Sequence, residues 1–340
     1  MKAFLTAIRT ALPQAILDNN QLAAEYEGWS AEKIYSKTGI RTRHIAAPDE
    51  CASDLAVRAA QSLMAHVDMD PSNVDYLLYC TQTPDYILPT TACVLQHRLG
   101  LPLCCGALDF NLGCSGYVYG LGLAKALIET GQARTLLLIT ADTYSKLINP
   151  ADKSVRTLFG DGAAATLIVA AEEESLTGPF VYGTDGAGAK NLIVPSGGMR
   201  QAAVPEAQLV PDDSGNARTV NDLYMNGAEV FNFTLRMVPE AVRQLLAKAG
   251  IESQAIDLFV FHQANRFMLD HLRRKLQIPA DKFVIAMEQV GNTVSSSIPI
   301  ALQQAQEQGQ LKPGALVMLV GFGVGYSWGA TLIRWAPTSS

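Results

Sequence analysis

Short, nearly unbroken apolar runs lie near residues 75–81, 105–111, 135–141 and 164–170, and again near 257–262, 315–321 and 328–335. Runs of that length without polar alternation are expected of strands covered on both faces. Stretches with helical spacing stand between them. One follows Cys114 and carries Leu121, Leu123, Ala124, Leu127 and Ile128; others cover 228–249 and 298–307. Strands alternating with helices predict an α/β fold. Residues 183–220 break the pattern with Gly197-Gly198 and Pro211-Asp212-Asp213. They predict a long surface excursion, either a tolerated insertion or a lid that shapes a pocket. Residues 314–333 carry no charge, which superficially suits a membrane span. Their glycines and the turn at 321–325 predict two buried strands around a loop instead.

The pattern repeats. Residues 63–80 (LMAHVDMDPSNVDYLLYC) and 245–262 (LLAKAGIESQAIDLFVFH) share a helix end, a polar connection, an Asp and a strand. Gly113-Cys114 to Gly131-Gln132 has the same interval as Gly291-Asn292 to Gly309-Gln310. Ala165-Thr166-Leu167-Ile168 is echoed by Ala330-Thr331-Leu332-Ile333. Three echoes in one order predict two similar α/β halves, 1–171 and 172–340, whose strand ends meet at one cleft. Ligands collect beyond the C-terminal ends of strands in such sheets.

Three chemically notable residues fall at those ends. Cys114 stands at a strand-to-helix turn, where unpaired N–H groups and the helix dipole favour thiolate over thiol. The plain alternative is a small core residue. His262 closes the strand Phe259-Val260-Phe261, and Asn292 lies in the polar turn that opens the helix over 298–307. Alone, each suits a structural role, as a satisfied histidine or a helix cap. Together they suggest a nucleophile and two hydrogen-bond donors.

Composition narrows the setting. Net charge is −6, without a basic cluster of the kind that binds nucleic acid. The cysteines lie between Cys51 and Cys114 with no disulfide-like or metal-like spacing, so a reducing, cytoplasmic setting and no metal are expected. The first residues, Met1 to Arg9, are too short and too charged for a signal peptide.

Six ordered motifs carry a family resemblance. They are Thr38-Gly39-Ile40-Arg41, Gly113-Cys114-Ser115-Gly116, Phe159-Gly160-Asp161-Gly162-Ala163, His262-Gln263-Ala264-Asn265, Gly291-Asn292-Thr293 and Gly321-Phe322-Gly323-Val324-Gly325 with Trp328-Gly329. Across essentially the whole chain this resembles the thiolase superfamily, and within it the β-ketoacyl-acyl carrier protein synthases III. Thiolases need a later second cysteine, and none follows Cys114. Elongating synthases use two histidines, whereas Asn292 stands in the third position. Chalcone-synthase-like enzymes share the Cys-His-Asn set but are usually longer.

The resemblance implies a layered αβαβα fold, a homodimer, no cofactor, no membrane partner, and acyl carrier protein or coenzyme A thioesters as partners. It implies that Cys114 accepts an acyl group, with the backbone N–H groups of Cys114 and Val324 as oxyanion hole. His262 and Asn292 would stabilise the enolate left when a malonyl thioester loses carbon dioxide, and the enolate would attack the acyl group. Phe322 and Asn265 would line the substrate pocket. Leu88, before Pro89, would reach the partner's acyl pocket. An acyltransferase that delivers the acyl group to an alcohol or amine is the alternative.

Departures concern the donor. Lys33, Lys37 and Lys153 stand where the family's tryptophan and arginines hold the coenzyme A nucleotide, and lysine does not stack as they do. Trp29 could substitute, and the lysines could still meet phosphates. Arg266, Arg273, Arg274 and Lys275 are candidates for carrier-protein docking, with Phe267 where an arginine often follows the histidine motif.

Overall fold

The computed structural model describes residues 1–172 and 177–335. Nine strands build two main sheets: β1 (Lys2–Ala11), β2 (Tyr76–Cys80), β3 (Gly106–Phe110), β4 (Thr135–Asp142), β5 (Gly162–Ala171), β6 (Thr177–Thr184), β7 (Leu258–Phe261), β8 (Leu316–Gly323) and β9 (Ser327–Arg334). The first sheet has the order β1-β5-β4-β2-β3 and the second β6-β9-β8-β7. Strand β2 is parallel to β3 and β4, as β7 is to β8, while β5 and β9 run antiparallel to their neighbours. An isolated parallel bridge, Phe259 to Phe283, stands where the second sheet would need its fifth strand. One strand order is thus used twice, as the sequence echoes anticipate.

The central strands read as unbroken apolar runs because both faces are covered. Residues Leu136 to Asp142 are all buried. Between the sheets lie α2 (Gly116–Glu129) and α5 (Ser297–Glu307), counting the large helices α1 (Ala52–His66), α2, α3 (Gly227–Ala249), α4 (Arg266–Lys275) and α5. Val118, Leu121, Ile298 and Leu302 pack there against Leu78, Leu138, Val260 and Leu319 from both sheets. Helix α1 covers the outer face of the first sheet with Leu55, Ala59 and Leu63. Helices α3 and α4 cover the second with Phe233, Val242, Leu269 and Leu272. The result is the five-layer αβαβα arrangement expected for a thiolase-type fold.

Two strands lie outside the expected set. Strand β1 is antiparallel to β5, from Lys2 beside Ala171 to Ala11 beside Ala163. Strand β6 extends to Thr184, so residues 183 and 184 belong to a sheet and not to the predicted excursion. The remainder carries order of its own. Leu192–Ile193 pairs with Tyr224–Met225, and Val210–Pro211 pairs with Ala217–Arg218. Asp212 ties the latter hairpin by accepting from Ser214 N, Asn216 N and Arg218.

Candidate active site

Cys114 lies between β3 and α2, two residues before Gly116 begins the helix. The turn is pressed against β8. A Cβ on Gly323 would come within 2.9 Å of Cys114 Cβ and 3.0 Å of Sγ, and one on Gly321 within 2.7 Å of Ser115 Cα. Glycine at both positions lets the strand pass the Cys114 turn. Ser115 Oγ and Ser327 Oγ, 2.7 Å apart, link the halves behind it. Among the described residues no protein oxygen accepts from the N–H of Cys114 or of Val324.

Burial works against the expected thiolate. Cys114 is 6% exposed. Burial pushes its thiol well above the ordinary range, and the nearby Asp142 charge pushes it further. Loss of hydration of the charged form opposes the helix-start effect.

His262 follows β7, and its N–H continues the sheet pairing to Val320 O at 2.8 Å. Burial pushes the ring down to about 3, which keeps it neutral at physiological pH. Nδ1 lies 2.7 Å from Ser297 Oγ. That hydroxyl oxygen also receives the N–H of Gln263 at 3.4 Å. In the tautomer where the hydroxyl donates to Nδ1, the ring proton sits on Nε2. Phe322 sets its ring edge-to-face against the imidazole, with centroids 5.4 Å apart.

Asn292 is fixed by its backbone: its N–H donates to Leu158 O at 2.9 Å, and its carbonyl accepts from Gly160 N at 3.0 Å. The side-chain Oδ1 accepts from Val294 N at 3.0 Å. Val294 takes φ +51°, a costly conformation for a β-branched residue. With Oδ1 occupied, the Nδ2 hydrogens are left for a ligand.

Cys114, His262 and Asn292 all line one cavity of about 70 Å³, with Phe322, Asn265 and Gly323. Asn265 also caps α4, accepting from Met268 N at 2.8 Å. Leu192 and Met225, from the ordered part of the 183–220 segment and its partner strand, form part of the wall.

Other candidates lie elsewhere. Leu88 is 79% exposed and does not line the cavity of its own chain. The lysines proposed to meet phosphates have local partners. Lys33 Nζ donates to Gly28 O at 2.8 Å and sits over the Trp29 ring, as does Lys37. Lys153 Nζ donates to Ser214 O and Gly215 O, clamping the 210–218 hairpin. Arg266, Arg274 and Lys275 share α4, which begins at the cavity, and all three are exposed. Arg266 faces Asp270 at 3.6 Å, while Arg274 and Lys275 donate to carbonyls of Asp270 and Leu235. Phe267 stacks on Phe231 at 5.5 Å.

Residue-type reasoning missed Asp142 and the role of Ser297. Asp142 is fully buried, accepting from Gln82 N at 2.7 Å and from the N–H and hydroxyl of Ser295. Burial pushes its carboxyl up to about 7. An acid ending the apolar run Leu136 to Ala141 was the available signal.

Among the described residues no helix is long and apolar enough to cross a membrane. Two patterns of the family described as "3-Oxoacyl-[acyl-carrier-protein (ACP)] synthase III" match, over residues 108–186 and, for its C-terminal part, 246–335. A "Beta-ketoacyl-[acyl-carrier-protein] synthase III" of Symbiobacterium thermophilum is 38% identical, covering 97% of both chains. One of Caldanaerobacter subterraneus is 36% identical, covering 96% of this chain and 95% of the relative. A crystal structure of a 3-oxoacyl-(acyl-carrier-protein) synthase III superposes with a TM-score of 0.97 at 56% identity, covering 98% of this chain and all of that one.

Proposed function

The chain belongs to the β-ketoacyl-acyl carrier protein synthase III family, enzymes that perform a Claisen condensation in fatty acid biosynthesis, and from that premise we propose which of its residues do the work. Cys114 is the nucleophile. Its sulfur attacks an acyl thioester, the carrier thiol leaves, and the thiol proton departs with it, so Cys114 holds the acyl group as a new thioester. The unpaired N–H groups of Cys114 and Val324 receive the tetrahedral oxyanion.

A malonyl thioester then loses carbon dioxide. The electron pair of the broken C–C bond forms an enolate, whose oxygen takes hydrogen bonds from His262 Nε2–H and Asn292 Nδ2–H. The Ser297 contact carries the reading: with its hydroxyl donating to Nδ1, the neutral ring presents a donor at Nε2. Phe322 keeps that end apolar, which disfavours the malonyl carboxylate relative to carbon dioxide. The enolate carbon attacks the Cys114 thioester, the β-ketoacyl product leaves, and the cysteine sulfur regains a proton.

In this reading the enzyme is an acyltransferase acting in the cytoplasm. Acyl carrier protein docks at Arg266, Arg274 and Lys275, and coenzyme A thioesters serve without strong nucleotide recognition. The proposed unit is a homodimer of chains with halves 1–171 and 172–340, in which the exposed Leu88 of each reaches the other's acyl pocket. Release of one carbon dioxide per product from a malonyl thioester tests the reaction. Transfer to an alcohol or amine without that release would mark the simple acyltransferase instead.

A further inference from the structure

Arg43 is fully buried, yet among the described residues no carboxylate is a hydrogen-bond partner of its guanidinium. Burial pushes the group down to about 10, so it stays charged at physiological pH. A buried cation without an ion partner is costly, and an apolar side chain of similar size would avoid that cost. What the guanidinium supplies is three bonds to distant parts of the chain. Nη1 donates to Leu17 O at 3.2 Å, and Nη2 donates to Asn19 Oδ1 and Thr157 O, both at 3.0 Å. Thr157 directly precedes Leu158 O and Gly160 N, the two groups that hold the backbone of Asn292. Arg43 also meets that crossing with its Cβ, which a Cβ on Gly160 or on Gly291 would approach to 3.2 and 3.1 Å. Its neighbours grip the loop that leads into Asn292. The N–H groups of Arg41 and Thr42 both donate to Glu288 O, and Thr42 Oγ1 donates to Gln289 O at 2.8 Å. Among the described residues no hydrogen bond joins 41–43 to the Cys114 turn, 113–116.

We propose that Arg43 is a positioning residue for Asn292, governing the loss of carbon dioxide from the malonyl thioester and not the acylation of Cys114; this rests on Asn292 stabilising the enolate. Arg43 does not line the cavity, so it acts through the backbone it holds. A donor to developing charge works only from a narrow range of positions, and a misplacement of about 1 Å can cost about 10²-fold. Without the guanidinium, Thr157 O and Asn19 Oδ1 lose a donor and must find others. The segment 157–160 then shifts, and the Asn292 carboxamide shifts with it. The Cys114 turn rests on β8 instead, so its own donors keep their places.

The test measures two rates in each variant: acylation by an acetyl thioester, read by intact mass, and carbon dioxide release from a malonyl thioester. Arg43→Met fills similar space but cannot donate. It is expected to release carbon dioxide at least tenfold more slowly while acylating within threefold of the wild-type rate. Arg43→Lys keeps the charge and is expected to recover part of the loss. Added to Asn292→Ala, Arg43→Met is expected to slow release less than threefold further, because no carboxamide is left to place. Equal slowing of both steps by Arg43→Met overturns the proposal, as does a full tenfold loss that persists on top of Asn292→Ala. Should Arg43→Met fail to fold, Thr42→Val decides, since it removes only the hydroxyl that holds Gln289 O. Release at least threefold slower with acylation unchanged supports the proposal, and unchanged release overturns it. Wild-type release from Asn292→Ala alone would refute the role given to Asn292, a separate outcome from a wrong positioning residue.

Discussion

Behind Cys114 the carboxyl of Asp142 accepts hydrogen bonds, among the described residues, only from uncharged donors on Gln82 and Ser295. Its charge adds to burial in holding the thiol protonated. Asp142→Asn removes that charge and should speed alkylation of Cys114 by iodoacetamide at pH 8; an unchanged rate would mean the carboxylate does not reach the thiol. Asp142 and His262 also oppose one another in stability. The folded carboxyl titrates near 7, above its unfolded value of about 3.9. The folded state therefore holds the extra proton, and stability from this group falls as pH rises from about 4 to 7. The folded His262 titrates near 3, below its unfolded value of about 6.5. Here the unfolded state holds the extra proton, and stability rises with pH from about 3 to 6.5. The slopes largely cancel, each at most about 1.4 kcal/mol per pH unit. Denaturation of Asp142→Asn between pH 4 and 6.5 should thus lose stability on acidification more steeply than the wild-type protein.

At the level of elements, the two glycines of β8 let that strand run against the Cys114 turn. Gly323→Ala places a methyl group in contact with Sγ and should slow acylation at least a hundredfold with the far-ultraviolet circular dichroism retained; stopped-flow acylation measures it. Lys153 clamps the 210–218 hairpin through two carbonyls. Lys153→Ala should speed proteolysis within that hairpin while leaving the ratio of coenzyme A to pantetheine thioester rates unchanged. A tenfold fall in that ratio would restore the lysine as a phosphate ligand. Central strands and their helices were legible because burial on both faces writes an unbroken apolar run. Strand β1 was hidden by Thr6 and Arg9, which interrupt its run, and β6 by Gly178, Pro179 and Gly183. Cys114, His262 and Asn292 were legible as motifs at strand ends. The burial that raises the thiol was not, because desolvation depends on packing from β8 and β4, far away in sequence.

The repeat explains the molecule as a whole. One strand order used twice brings the ends of β3 and β7 and the turn before α5 to one cavity, so the proposed nucleophile and donors come from both halves. Strand β3 remains an edge, with Leu108 43% exposed, and Tyr86, Ile87 and Leu88 are exposed in the connection that follows β2, its neighbour in the sheet. An open edge with apolar neighbours invites pairing with a second copy. Sedimentation should give a dimer, and Leu108→Asp should shift it toward monomer; a monomeric wild-type protein would leave Leu88 without its proposed pocket.

The division of labour between thiol and donors is the centre of this account, and a two-step intact-mass experiment tests it most directly. Protein is first incubated with an acetyl thioester and then with a malonyl thioester, with carbon dioxide followed in the second step. The wild-type protein should gain one acetyl group on Cys114 and discharge it with equimolar carbon dioxide, and Cys114→Ala should gain none. Asn292→Ala should gain the acetyl group yet release carbon dioxide about 10²–10³-fold more slowly, the loss typical of one oxyanion donor. An acetyl adduct on Cys114→Ala, or wild-type release from Asn292→Ala, would contradict it.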